Sequence, residues 1–219
     1  MTRRRFDLIA FDWDGTLFDS TALIARCIQA ACADVGAPVP GARDASFVIG
    51  MGLVEALQHA APSLPRERYR ELAERYRHHY FAQQHEVVLF DGTVSLLASL
   101  KQREFALAVA TGKSRRGLDE ALSSVQLKGV FDATRTADET ASKPDPRMLI
   151  ELMDELGVAP ERTLMIGDTT HDLQLAANAG TASVAVSYGA HAPAEFQSFA
   201  PLCVAHSVGE LDRWLTEHA

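Results

Sequence analysis

No apolar run in the sequence approaches the ~20 residues needed to cross a bilayer. Arg3, Arg4 and Arg5 imitate the basic start of a signal peptide. The next residues, Phe6 to Phe11, contain Asp7 and meet Asp12 and Asp14 at once, so no hydrophobic segment exists for export. Cysteine is scarce: Cys27, Cys32 and Cys203 have neither metal-ligand spacing nor the arrangement of a disulfide framework. Positive charge is also short. There are 21 Lys and Arg against 29 Asp and Glu, a net charge of −8, which argues against a general nucleic-acid binder. Repeats and low-complexity tails are missing. These absences predict a soluble protein of the reducing cytoplasm with no membrane or nucleic-acid partner. A monomer or weak homodimer is the expectation for its assembly, which none of these absences decides. Among the 219 residues, 47% are hydrophobic and 23% charged, which excludes a disordered or collagen-like chain. The length suits one large domain, or a core with a smaller module.

Short apolar runs alternate with amphipathic stretches. Phe6–Phe11 reads as a strand buried on both faces, as do 105–110, 163–166 and 182–186. Residues 131–134 and 202–205 read as weaker strands. Between them, 93–103, 115–125 and 146–156 carry apolar residues at helical spacing, with Gly157 as a stop for the last. The alternation predicts an α/β fold, a parallel sheet with helices on both faces. From Ser20 to Glu86 there is no convincing strand. Ile24, Cys27, Ile28, Ala31 and Val35 mark one helix, and Tyr69, Leu72, Ala73, Tyr76 and Tyr80 another, with a Pro- and Gly-rich stretch between. This predicts a helical module, residues 20–86, inserted into a core of residues 1–19 and 87–219.

The chemistry gathers at predicted strand ends, where ligands bind in open α/β sheets. Asp12-Trp-Asp14-Gly-Thr16 comes directly after the first strand. Two carboxylates there are costly unless something positive joins them, and Mg²⁺ with oxygen ligands would do so. Taken alone, Asp-Gly also reads as a surface turn. Thr111-Gly112-Lys113-Ser114 leads into a helix and suits an anion, or is a plain cap made by Ser114. Lys143, just before a Pro-started helix, can reach a phosphate or simply face solvent. Gly167-Asp168-Thr-Thr-His171-Asp172 supplies a second carboxylate pair. Each signal is modest alone, but the ordered set supplies a nucleophile, an acid/base, an anion cradle, a cation and metal ligands.

With these motifs the chain resembles the haloacid dehalogenase superfamily, and within it the phosphoglycolate-phosphatase-like group. The resemblance runs from Phe6 to the last predicted strand. Thr111–Arg116 and Thr136–Pro144 look most like that group, and the inserted helices are similar to its small cap. The resemblance implies a Rossmann-like core with a mobile helical cap and Mg²⁺-dependent hydrolysis of a small phosphorylated metabolite. Asp12 would be the nucleophile that forms an aspartyl phosphate, Asp14 the acid and then base. Thr111 and Gly112 would hold the phosphoryl oxygens, and Lys143 would neutralise charge. Asp12, Asp168 and the Asp14 backbone carbonyl would ligate the metal, with Asp172 a direct or supporting ligand. Asp14 argues against dehalogenase and phosphonate-cleaving members. A sugar-phosphate mutase remains an alternative, although Gly15-Thr16-Leu17 favours a phosphatase. A non-enzymatic phosphoacceptor signalling module is another.

Specificity is expected in the cap, with Gly50 and Met51 of the Ile49–Leu53 loop joining Gly112 and Lys113 as substrate contacts. Arg43 and the Arg115–Arg116 pair are the available cations for a substrate carboxylate, although the pair reads first as a solvated helix face. His78, His79 and His85 have no ligand spacing and are not read as a metal site. His171 is expected to be a solvated loop residue. Tyr69, Tyr76 and Tyr80 are expected in the cap core, Cys27 on an apolar stripe, and Asp19 and Ser20 as cap and hinge of the first cap helix.

Overall fold

A computed structural model describes residues 4–219; Arg3 and its two predecessors lie outside the described residues. Six parallel strands form one sheet in the order β3-β2-β1-β4-β5-β6. They are β1 (Leu8–Phe11), β2 (Ala106–Thr111), β3 (Ala133–Thr136), β4 (Thr163–Gly167), β5 (Ala182–Val186) and β6 (Val204–Ala205). This is the doubly wound α/β arrangement that the strand and helix alternation predicts.

β1 shows why the runs are apolar throughout. Successive side chains point to opposite faces of a strand. Ile9 and Phe11 pack into one core with Leu97 and Leu100 of α5 (Thr93–Gln102), Leu118 of α6 (Arg115–Ser124) and Leu211 of α9 (Val208–His218). Leu8 and Ala10 enter the opposite core with Leu149 and Leu152 of α7 (Arg147–Leu156) and Leu175 of α8 (Thr170–Asn178). Both faces are covered, so neither tolerates a polar residue until the strand ends at Asp12.

The insertion between β1 and α5 has its own apolar cluster. Ile28 and Ala31 of α1 (Thr21–Asp34) pack with Leu57 of α3 (Leu53–Ala60) and Leu72 of α4 (Tyr69–Gln83). Cys27 lies in this cluster, as its place on the stripe suggests. The stretch read as turn-rich holds two helices, α2 (Ala42–Phe47) and α3. Gly41 and Gly52 stand just before them, so the glycines that looked like turn residues sit at helix starts. The chain leaves and re-enters the core along paired segments. Asp19 N–H donates to the Val88 carbonyl at 2.9 Å, and Phe18 bridges Leu89 antiparallel.

Two strands differ from expectation. β3 begins at Ala133, two residues later than read, because the Asp132 carboxylate is taken by Lys101 and by the Leu107 N–H. β6 keeps only Val204 and Ala205 of the 202–205 run. Among the described residues, no helix is long and apolar enough to cross a membrane.

Candidate active site

The sheet order reverses direction between β1 and β4, and a crevice forms at such a point. Asp12 comes after β1 and Asp168 after β4, so these carboxylates flank the reversal. Thr111 ends β2. Lys143 enters from the loop between β3 and α7, and its Nζ donates to Asp12 Oδ1 at 2.5 Å and to Asp172 Oδ1 at 2.6 Å. All four of Asp12, Lys143, Asp168 and Asp172 are buried.

This cluster is short of positive charge. Carboxylate oxygens of Asp12, Asp168 and Asp172 lie within 4.8 Å of one another. Three carboxylates face one ammonium, an excess of two negative charges. Burial pushes Asp12 well above the usual carboxylate range, with Lys143 opposing and the Asp172 and Asp168 charges adding to the rise. Burial and the Asp172 charge push Asp168 up to about 7. Lys143 is raised as well, which favours its charged form: burial works against that charge, but Asp12 and Asp172 more than offset it. Asp12 Oδ2 is buried with no hydrogen-bond partner. An orphaned carboxylate oxygen beside two further carboxylates is the donor chemistry of a hard divalent cation, so the residues fit Mg²⁺.

The carboxylates are not equivalent. Asp168 is fixed by Thr16 Oγ1 at 2.9 Å and by Ala190 N–H at 2.7 Å. Gly15, at φ +86°, lies so close that a Cβ there would run into the Asp168 carboxylate. Asp172 accepts from Lys143 through one oxygen and from Thr169 N–H and Oγ1 through the other, which closes a capping box on α8. Its position suits orienting Lys143. The Asp14 carboxylate stands apart from this cluster. It accepts from Ser20 Oγ at 2.6 Å and pairs with Lys113 Nζ at 3.0 Å. Its place before the helix suggested that Ser20 caps α1, but its side chain makes no cap bond: its backbone is at φ −110°, ψ −9° and not in the extended geometry of a cap.

Lys113 also donates to Tyr80 Oη at 3.0 Å. Burial disfavours its charge, but Asp14 and the neighbouring tyrosines outweigh that and raise its pKa. Tyr80 is thus a contact between cap and core, where the helical stripe suggested a purely internal residue. Thr111 Oγ1 accepts from the Lys113 N–H, which leaves the Thr111 hydroxyl proton free to donate. Ser114 caps α6 by accepting from Gly117 N–H.

The Ile49–Leu53 loop lies directly over this site. A Cβ on Gly112 would run into the Met51 and Gly50 carbonyls, so the structure brings Gly50, Met51 and Gly112 together. Gly52 N–H donates to Ser142 Oγ at 2.8 Å. His171 is a correction: it is buried in α8 and not solvated. Its Nε2 donates to the Phe47 carbonyl at 2.7 Å, and the buried His191 reaches the same carbonyl at 3.0 Å. Burial lowers the His171 pKa. His191 and Phe47 escaped the sequence reading, since a lone histidine after β5 and an aromatic residue in a short helix carry no spacing signal. The suggested arginines are engaged by acids: Arg43 faces Glu195, Arg115 holds Glu139, and Arg116 holds Glu120 with its guanidinium 5.8 Å from the Phe81 ring centroid. His79 pairs with Asp34.

Residues 9–186, from β1 through β5, match the haloacid dehalogenase-like hydrolase family. The chain belongs to that family. The phosphoglycolate phosphatase of Aliivibrio fischeri is 34% identical to this haloacid dehalogenase-like hydrolase over 191 residues, covering 83% of this chain and 84% of that one. The pyrophosphatase PpaX of Halalkalibacterium halodurans is 29% identical over 205 residues, covering 93% and 94%. A solved hydrolase from Pseudomonas syringae shares the fold, with a TM-score of 0.89 at 24% identity, covering 96% of this chain and 98% of that one.

Proposed function

We propose that this haloacid dehalogenase-like hydrolase is a Mg²⁺-dependent phosphatase that cleaves small phosphomonoesters through a phosphorylated Asp12. The observation that carries the reading is the orphaned Asp12 Oδ2, a buried carboxylate oxygen held beside Lys143 and aimed at no protein partner. Phosphoglycolate, the compound in a relative's name, is the first substrate to try. The protein is proposed to act in the cytoplasm as a monomer or weak homodimer, with residues 20–86 as a lid over residues 1–19 and 87–219.

Asp12 attacks phosphorus, and the bond to the leaving oxygen breaks. Asp14, oriented by Ser20, gives that oxygen a proton. Asp14 then takes a proton from water, which attacks the acyl phosphate and returns Asp12 and free phosphate. The free proton of Thr111 Oγ1 and the Gly112 N–H hold phosphoryl oxygens. Lys143 keeps its charge against both Asp12 and the phosphoryl group, the kind of preorganised electrostatics that such a transfer requires. Asp12, Asp168 and the Asp14 backbone carbonyl would hold Mg²⁺, with Asp172 orienting Lys143. The ion supplies charge neutralisation for the phosphoryl oxygens when bound.

Asp12→Asn is expected to remove turnover of p-nitrophenyl phosphate while the far-UV spectrum and unfolding transition persist. Near-wild-type turnover would refute the assignment. Isomerisation of β-glucose 1-phosphate without phosphate release would favour the mutase. A single stoichiometric burst of phosphate would favour the phosphoacceptor module.

A further inference from the structure

A cavity of about 430 Å³ opens between lid and core beside the catalytic cluster. Asp14, Gly112 and Lys113 form its inner wall, so it is continuous with the place where the leaving oxygen departs. The rest of the wall is mostly apolar, including Ile24, Ile28, Ile49, Met51, Tyr76 and Phe81. Phe81 and Val54, also on the wall, are large apolar side chains left exposed on the surface.

Size and charge both bear on what fits. A water occupies about 30 Å³ of liquid, so this cavity has room for roughly a dozen. A two-carbon leaving group would leave most of that water against apolar walls, an unfavourable arrangement. The cations do not favour an anionic leaving group either. Among the described residues on the wall, Lys113 is the nearly buried cation, and its ammonium is already engaged, 3.0 Å from Asp14 and 3.0 Å from Tyr80 Oη. Arg77 stands at the exposed rim. Glu55 and Asp138 add negative charge to the wall. None of Arg43, Arg115 and Arg116 lines the cavity.

We propose that the selected substrate is a phosphate monoester whose leaving group carries an uncharged apolar body, aliphatic or aromatic, seated against Ile28, Ile49, Tyr76 and Phe81. This rests on the phosphatase reading and narrows it. The phosphate engages the core, Asp14 serves the ester oxygen, and the apolar body displaces water from the lid cavity. Ile28 and Phe81 are then specificity-determining residues, and a glycolate leaving group is a poor fit.

The test is a series of alkyl phosphates from ethyl to hexyl, with benzyl phosphate and phosphoglycolate alongside, assayed by phosphate release. The expected result is a kcat/KM that rises about threefold to fourfold per added methylene. Benzyl phosphate should exceed phosphoglycolate. Ile28→Thr and Phe81→Ser should each flatten the series; Phe81 is exposed, so that variant keeps the test independent of folding. A flat series, or phosphoglycolate turned over faster than hexyl phosphate, would overturn the proposal while leaving the phosphatase reading intact. If no ester is hydrolysed, the phosphatase reading fails, and calorimetry with hexylphosphonate and methylphosphonate judges the cavity alone. Tighter binding of hexylphosphonate, weakened by Phe81→Ser, would support it; equal binding would overturn it.

Discussion

Lys143→Met tests the central electrostatic argument most directly. The ammonium lies 2.5 Å from Asp12 and 2.6 Å from Asp172, and its side chain is fully buried. Methionine keeps much of the stem but leaves three buried carboxylates with no cation among them. Removing one member of a buried pair typically costs about 3–5 kcal/mol. For a chain of this length each kcal/mol moves the melting temperature by roughly 2–4 °C, so a fall of about 10 °C is expected. The assay is thermal and urea unfolding at pH 8 with chelator. Asp168 stands at about 7 with Lys143 opposing the rise, so without Lys143 it goes higher still, and lowering the pH would protonate it and blunt the effect. The same charge count gives two further outcomes. Millimolar Mg²⁺ should restore part of the loss, and adding Asp172→Asn to the variant should restore part of it without metal. A loss below about 1 kcal/mol, well short of the penalty for a broken buried pair, would refute the reasoning. So would a double variant less stable than the single one.

Gly112→Ala should keep the core folded but drive its methyl against the Gly50 and Met51 carbonyls, holding the lid loop off. A fall in kcat/KM on the order of tenfold, equal to ~1.4 kcal/mol, is expected, with faster proteolysis in the lid. Unchanged kinetics would show that the loop need not dock. Arg162 and Arg4 hold Asp7 at about 2, below its unfolded value of ~3.9. Its contribution is therefore present at neutral pH and is lost as pH falls from about 4 towards 2. Asp7→Asn should be less stable than wild type at pH 7 and converge with it at pH 2 in urea unfolding. His191→Ala removes one imidazole from the Phe47 carbonyl and a partner from the Thr170 N–H. Faster hydrogen exchange at residues 47–52 is expected, and unchanged protection would show that the lid is held elsewhere.

The sheet was legible because both faces are covered, which forces runs such as Leu8–Phe11 to be apolar throughout. The grouping of the candidate site was legible because sharp turns at strand ends place their side chains within a few residues of the strand, as with Asp12, Thr111 and Asp168. What stayed hidden was long-range pairing. Tyr80 looked like any stripe residue until α4 laid it beside Lys113, 33 residues on in sequence. His171 looked solvated because nothing local says that Phe47 will cover it. α2 and α3 were missed because helices of six and eight residues between glycines and prolines give too few turns for a periodic pattern.

The paired segments at 18–19 and 88–89 have a consequence for how such a protein can change over generations. Because the two ends of the insertion lie side by side, the sheet closes identically whatever length of chain departs between them. The insertion is in effect a cassette. A different helical unit with equally close ends could be spliced in at Asp19 and Val88 without disturbing β1, Asp12 or the buried carboxylates beside it. Recognition of the leaving group and cleavage of the phosphate ester are thereby heritable as separate traits.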